Sequence, residues 1–538
     1  MKTYKGKKIH RKIGMGPVEV FDHSVVYNTY RTYITDKVYE LERLKRAMDA
    51  TDRELSDIYH MAVGSVGKQD AGIFNSHRML LQDETFLDDI KNIIVSESVC
   101  AEYAVNETGN KYVEFFNNSA NSEMKARATD IRDVCDHILA NLYGKVLKLS
   151  FDKPSVILTD ELTPSEVVSL DKKKTLAIVV GKGALNSHAS ILARSMDIPM
   201  MLVEDKEAFD TPNGTFVIAD GEEGIFIVEP DAKTNDFYVD RIRLRKLEDS
   251  SLQKYASKDT VTKSSRKIGL FANASNIKEV ETAVKNNASG IGLFRTEFLF
   301  LDREEEPSVE EQYKVYSQVV KKMGDKPVTF RILDIGSDKK VDYIKMPAEE
   351  NPALGIRGMR LMFMHRDILK NQLKALFMSA AKGDVSIMYP MISSLEEVEK
   401  IKETVEEVAS ELKASGKKFV VPKQGIMIET PAAVMISDKL AKHFSFFSLG
   451  TNDLTQYALA LDRQNGNLTD YFIPHHEAII KFVKIAVENG HKEGIPVSIC
   501  GEMALDDTLL ETYLEMGVDS LSVAPVNILK LRKNISEH

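Results

Sequence analysis

Cysteine is scarce in this chain. Cys100, Cys135 and Cys500 are the only three in 538 residues, and they show no metal-ligand spacing. So sparse and odd a set points to a reducing cytoplasm, not to a disulfide framework. No apolar run approaches the roughly 20 residues that cross a membrane. The basic opening MKTYKGKKIHRK lacks the apolar stretch of a signal peptide. Positive charge is in deficit as well: 71 Lys and Arg against 81 Asp and Glu leave a net charge of -10. That balance argues against a general nucleic-acid binder, which needs a basic face. There is no P-loop, and no GxGxxG follows any apolar run. The expectation is a cytoplasmic protein that binds neither membrane nor nucleic acid.

What is present is a chain long enough for several domains. Its carboxyl-terminal half is a series of short apolar runs, each breaking off at a polar or charged residue: GIGLFRTE, TFRILDIG, SIMYPMI, GIMIET, FFSLGTND and SICGEM. Buried parallel strands read as near-continuous apolar runs, and helix-length stretches between them imply crossovers. KIGLFANAS before and SLSVAP after bring the number to about eight, which predicts a closed (β/α)8 TIM-type barrel with its site at the strand carboxyl ends. An open doubly wound sheet is the structural alternative. Arg295, Glu297, Arg331, Asp334, Glu429, Asn452, Asp453, Cys500 and Glu502 occupy those ends.

The amino-terminal half divides differently. KIGMGPVEVF is strand-like, and residues from about Asp22 to Tyr143 read as helix. Ile34, Val38, Leu41, Met48, Leu55 and Ile58 mark the seam of a packed helical hairpin, which Gly64 and Gly67 should interrupt. Further helices are expected over HRMLLQDETFLDDIKNII and MKARATDIRDVCDHILANLY. From Ser155 to about Pro230 short strands predict a compact α/β domain, which the early strands would complete around an inserted helical bundle. Such a bundle reads as scaffold or as a partner-docking module. Asp231 to Lys263 reads as a connecting helix and linker.

Several residues suggest chemistry. Ser187 is placed to cap a helix with His188 in its first turn, where backbone N–H groups and the dipole suit a phosphoryl group on the imidazole. Alone, His188 reads more simply as a packing histidine. Arg295, Arg331, Arg357 and Arg463 offer guanidinium forks to a small anion, or pair with carboxylates. Glu429 and Asp453, at neighbouring strand ends, suit magnesium or else structural ion pairs with those arginines, and Asn452 adds a polar contact. Cys500 is either a small buried residue or a proton donor.

Taken in order, GIGLFRTEFLFLDR, TFRILDIGSDK, NPALGIRGMR, GIMIETPAA, FFSLGTNDLTQYALALDR and ICGEMA closely resemble enzyme I of the bacterial phosphoenolpyruvate–sugar phosphotransferase system. SHASILARSMDIP resembles its phosphohistidine segment, and IFNSHRMLLQDE and MKARATDIRDV its helical insertion. The resemblance implies a phosphohistidine α/β domain over 1–21 plus 147–230, swivelling on a linker helix at 231–263. It also implies a helical phosphocarrier-binding domain over 22–146 and a phosphoenolpyruvate-binding barrel over 264–538. His188 would take the phosphoryl group, Glu429 and Asp453 would hold Mg²⁺, and Cys500 would protonate the enolate. Arg295, Arg331, Arg357, Asn452, Asp453 and Arg463 would bind substrate, with Lys339 near the phosphate. His77, Met79 and Leu80 lie on the stretch expected to dock the small phosphocarrier protein HPr, and the barrels are expected to join a homodimer. Departures are Asn186, where the family more often has threonine, and a loosely matching KIGMGPVEVF. The rival enzyme reading is a phosphoenolpyruvate synthase or dikinase, which needs a nucleotide-grasp domain. The rival from another class is a non-catalytic regulatory protein that binds a partner through the bundle.

Overall fold

The short apolar runs of both halves become strands because each is buried on one or both faces. The structure is a computed structural model. It describes the 538 residues apart from 11, 22–28, 66–69, 119–121, 145–151, 183–186, 302, 304, 337–340, 342, 348, 463–467, 469–470, 472 and 474. Two compact units emerge, Met1–Leu244 and Arg245–His538.

The first unit is built on an eight-stranded sheet: β1 (Lys2–Lys5), β2 (Lys7–His10), β3 (Ile13–Phe21), β4 (Ser155–Thr159), β5 (Thr175–Val180), β6 (Met200–Leu202), β7 (Phe216–Asp220) and β8 (Ile225–Val228). Its order is β1-β8-β7-β3-β4-β5-β6-β2. β3 pairs parallel with β4, from Val18↔Val156 to Phe21↔Thr159, although the whole helical segment separates them in the chain. Gly14 permits the close fit of β3, since a Cβ there would stand 2.1 Å from the Leu176 carbonyl oxygen.

Between β3 and β4 lie α1 (Lys37–Ser65), α2 (Ile73–Leu80), α3 (Glu84–Glu97), α4 (Ala101–Asn117) and α5 (Ser122–Tyr143). Of the expected seam, Met48 and Leu55 are buried and Ile34, Leu41 and Ile58 partly buried; they pack with Leu44, Phe74, Phe86, Ile131 and Val134, in one core shared with Ile157, Ile178 and Leu192 of the α/β part. Val38 is instead 70% exposed. α1 continues through Gly64, because one glycine costs only about 1 kcal/mol in a helix whose stability comes from packing. The stretch read as one helix at HRMLLQDETFLDDIKNII is two, since the Asp83 carboxylate accepts from Phe86 N at 2.9 Å and starts α3 afresh. After β4 come α6 (Pro164–Ser169) and α7 (His188–Ser195). α8 (Ala232–Leu252) follows the sheet, fixed to it by Tyr238 Oη donating to Asp220 at 3.0 Å and by Arg241 reaching Asp220 at 2.9 Å.

The second unit is a closed parallel barrel. Its strands are β9 (Gly269–Ala274), β10 (Ile291–Phe294), β11 (Val328–Arg331), β12 (Val385–Tyr389), β13 (Lys423–Ile428), β14 (Phe447–Gly450), β15 (Val497–Cys500) and β16 (Ser520–Val523), and β16 pairs back onto β9. These are the eight apolar runs read from the sequence. Capping boxes at Ser308/Glu311 and Ser394/Glu397 start two of the outer helices. Arg532, on the last helix, is 2% exposed and donates to the carbonyls of Tyr255, Asn286 and Asn287 and to Thr260 Oγ1. Those bonds tie the chain entering β9 to the carboxyl terminus and satisfy a buried charge without a carboxylate.

Candidate active site

In the first unit Ser187 has extended φ/ψ and its hydroxyl accepts from Ser190 N at 3.3 Å, so α7 starts at His188. The His188 side chain is 43% exposed, and its Nδ1 lies 3.2 Å from the Asp130 carboxylate of α5. The ring therefore directs Nε2 away from that carboxylate, at a helix amino terminus. Burial disfavours charge on Asp130, but the hydrogen bond with His188 and the His77 ring 3.7 Å away outweigh it and hold the carboxyl down at about 2. Asp130 is 58 residues from His188 in the chain, and no local pattern in the sequence marks the pair. Of the expected docking residues, Met79 is exposed and Leu80 half-buried. His77 is 2% exposed and turned toward Asp130 and Asp133. Asn186 lies outside the described residues.

In the second unit the strand ends open into a cavity of about 1280 Å³, lined by Arg295, Arg331, Arg357, Glu429, Asn452, Asp453 and Cys500 among others. Expected residues from five strand ends thus meet at one mouth. Arg463 and Lys339 lie outside the described residues, and Glu502 opens a short turn after β15.

The arginines differ in what they touch. Arg331 donates to Glu297 Oε1 at 2.7 Å and lies 3.1 Å from Asp334. Arg357 reaches Asp334 at 3.0 Å and Asp453 at 3.0 Å. Burial works against the charge of both, and these carboxylates restore it. Arg295 stands just past the last residue of β10 and is exposed at the cavity. It has no carboxylate partner among the described residues, which makes it available to an anion.

Glu429 is 1% exposed; Oε1 accepts from Met391 N at 2.7 Å, and Oε2 has no hydrogen bond among the described residues. Burial first, then Asp453 and Asp334, push its carboxyl up to about 8. Gly450 leaves room beside it, since a Cβ there would come within 2.8 Å of Oε2. Carboxylates outnumber guanidiniums among the described lining residues. An anion entering this cavity needs further positive charge, and the unsatisfied Glu429 oxygen beside Asp453 is where a hard divalent cation fits. No cluster of three or more His, Cys, Asp or Glu forms a metal site among the described residues. Water and substrate oxygens would complete the shell.

Cys500 is 3% exposed; it accepts from Ser448 Oγ at 3.2 Å and donates toward Leu449 O at 3.4 Å. Burial pushes its thiol up to about 11, so it carries its proton at neutral pH. Ser448 and Tyr457, which donates to Ala353 O at 2.6 Å, escaped the sequence reading because neither ends a strand in a charged residue.

No helix among the described residues is long and apolar enough to cross a membrane. Three family models match: PEP-utilising enzyme, N-terminal, over residues 5–127; mobile domain, over 151–224; and PEP-binding domain, over 249–538. The phosphoenolpyruvate-protein phosphotransferase of Priestia megaterium is 35% identical over 94% of this chain and 88% of its own length. That of Bacillus subtilis is 34% identical over 94% of this chain and 89% of its own, and that of Staphylococcus aureus 35% over 94% and 88%. A solved enzyme I structure shares 29% identity, covering 45% of this chain and 99% of that one, with a TM-score of 0.37. With its closed barrel, its sheet bearing a helical insertion, and likeness to the phosphotransferases over 94% of its length, the chain belongs to the phosphoenolpyruvate-protein phosphotransferase family.

Proposed function

We propose that the chain takes the phosphoryl group of phosphoenolpyruvate onto His188 Nε2, releases pyruvate, and passes the group to a histidine of the phosphocarrier protein HPr. The carrying observation is the coincidence, in one barrel mouth, of Arg295 and a protonated, buried Cys500. The first is a cation open to an anion, and the second is an acid suited to an enolate. The reading is strengthened by relatives named phosphoenolpyruvate-protein phosphotransferase over nearly the whole chain.

In this reading Arg295, with Arg463, Asn452 and Lys339, binds the phosphate and carboxylate of the substrate. Arg331 and Arg357 do so while tied to Glu297, Asp334 and Asp453, which hold their planes rigid. Glu429 and Asp453 would hold Mg²⁺, which supplies charge neutralisation at the phosphate when bound. The phosphorus–oxygen bond breaks as the phosphorus–Nε2 bond forms, and the electron pair stays on the enolate oxygen. His188 keeps a proton on Nδ1 toward Asp130. Cys500 Sγ then gives its proton to the methylene carbon, and Ser448 Oγ is in place to hydrogen-bond the thiolate. The α/β part carries His188 between barrel and acceptor with α8 and the following linker as the swivel, the helical bundle docks HPr with Met79 on its exposed face, and the barrels pair in a homodimer.

The test is pyruvate formation from phosphoenolpyruvate and Mg²⁺ without ATP, measured with and without HPr. Turnover should require HPr, and Cys500→Ala should lower it on the order of 10²–10⁴-fold, the scale of general acid catalysis, with substrate affinity little changed. A demand for ATP would favour a dikinase-like enzyme. Turnover unchanged in Cys500→Ala would take the thiol out of the rate-limiting chemistry.

A further inference from the structure

Behind Asp130 the first unit buries a row of titratable groups that the phosphoryl transfer does not itself use. His77, on α2 and 2% exposed, sets Nε2 3.7 Å from Asp130 Oδ1 and Nδ1 3.5 Å from Asp133 Oδ2. His137, also 2% exposed, sets Nε2 3.7 Å from Asp133 Oδ1 and Nδ1 3.2 Å from Glu54 Oε2. Asp130, Asp133 and His137 share one face of α5 through steps of three and four residues. Glu54, on α1, is 30% exposed and accepts from the Asn141 amide at 3.1 Å. Carboxylate and imidazole therefore alternate outward from His188: Asp130, His77, Asp133, His137, Glu54.

Carboxylates are what hold these rings. Neither nitrogen of His77 or of His137 has a well-formed hydrogen bond among the described residues. Leaving a buried imidazole without one is costly unless charges of opposite sign flank it. Each ring here has a carboxylate at both nitrogens. Asp133 is further fixed by Ser165, whose backbone N and hydroxyl donate to it at 3.0 and 2.8 Å. Burial opposes charge on His137, and Glu54 and Asp133 nonetheless raise it above its ordinary value. The other charged groups facing the row are Asp136 on α5 and Glu166 on α6, the latter pushed up to about 8 by burial. Flanking it are two ion pairs, Arg132 with Glu161 at 3.0 Å and Arg78 with Asp52 at 2.7 Å.

We propose that His77, Asp133, His137 and Glu54 are positioning residues for His188: a buried ladder of alternating carboxylate and imidazole that sets how strongly the His188 ring is held by Asp130. The ladder rests on the reading of His188 as phosphoryl carrier. No bond within it is made or broken. It governs the proton on Nδ1 and the orientation of the ring while Nε2 takes and gives the phosphoryl group.

Alternation has a signature that mere loosening lacks. Removing the His77 ring leaves the full Asp130 carboxylate to His188, whose ring should then hold its proton more tightly. Removing His137 frees Asp133 to draw His77 away from Asp130, which acts in the same direction and more weakly, whereas removing a carboxylate at the far end acts in the opposite one. The experiment is an NMR pH titration of the full chain with isotopically labelled histidine, the His188 signal being assigned by its loss in His188→Ala. His77→Gln should move the His188 midpoint up by about one unit, the scale of a single neighbouring charge. His137→Gln should move it up by less. Glu54→Gln, at the half-exposed end where a fold defect is least expected, frees His137 for Asp133 and should move the midpoint down. Folded variants whose midpoints do not move, or all move the same way, overturn the ladder. Failure of the unvaried chain to form phosphohistidine at position 188 is a separate result, and it would overturn the carrier reading.

Discussion

Replacing His188 with alanine is expected to end phosphoryl uptake while phosphoenolpyruvate still binds. The ring is the only part of α7 placed as a nucleophile, and its helix start and Asp130 serve to present Nε2. Loss of a covalent nucleophile registers at roughly 10⁵–10⁶-fold in rate. Substrate affinity should stay within a factor of about two, because the residues proposed to hold the substrate line the barrel cavity of the second unit, whereas His188 belongs to the first. Calorimetric binding of phosphoenolpyruvate with Mg²⁺, set beside rapid-quench phosphorylation, separates the two quantities. Loss of both together would contradict a carrier that is distinct from the binding site.

The second large effect concerns Glu429. Its folded carboxyl titrates near 8 against an ordinary value of 4.5, so between those values the folded chain holds a proton that the unfolded chain has lost. Stability then falls as pH rises through that window. A cation bound at the site reverses the fall, since binding only the folded state stabilises it. Glu429→Gln removes the titrating group while keeping its shape. In chelator the variant should unfold at a higher temperature than the parent at pH 9 and at a similar temperature at pH 6. With Mg²⁺ and phosphoenolpyruvate the order should invert: the parent gains thermal stability and the variant does not. Turnover should fall by at least roughly 100-fold, beyond what disturbing an outer partner of a metal costs. Equal stabilisation of both proteins by Mg²⁺ and substrate would exclude Glu429 as a ligand.

Much of the barrel was legible because burial on both faces forces each strand to be a continuous apolar run, as in SIMY and GIMI. The start of α7 was legible for a similarly local reason, a serine whose hydroxyl can satisfy a first-turn N–H. What stayed hidden depends on contacts between distant segments. Arg295 and Arg331 look alike in sequence, yet one stands free in the cavity and the other is locked by Glu297 and Asp334. Arg357 reads as a loop arginine until Asp453, 96 residues later, meets it. His77 sits in a stretch that reads as an exposed docking helix, but the turn of α2 that exposes Met79 points His77 at α5. The break at Asp83 carried a readable signal, an aspartate followed by helix formers, which the apolar periodicity on either side masked.

The most direct measurement is mass spectrometry of the intact chain and of its peptides after mixing with phosphoenolpyruvate and Mg²⁺, without ATP, under conditions that preserve phosphohistidine. The expected result is one added phosphoryl group, located on His188, with pyruvate released in equal amount. A folded chain that binds phosphoenolpyruvate yet gains no phosphoryl group, or gains it elsewhere, would contradict His188 as the carrier.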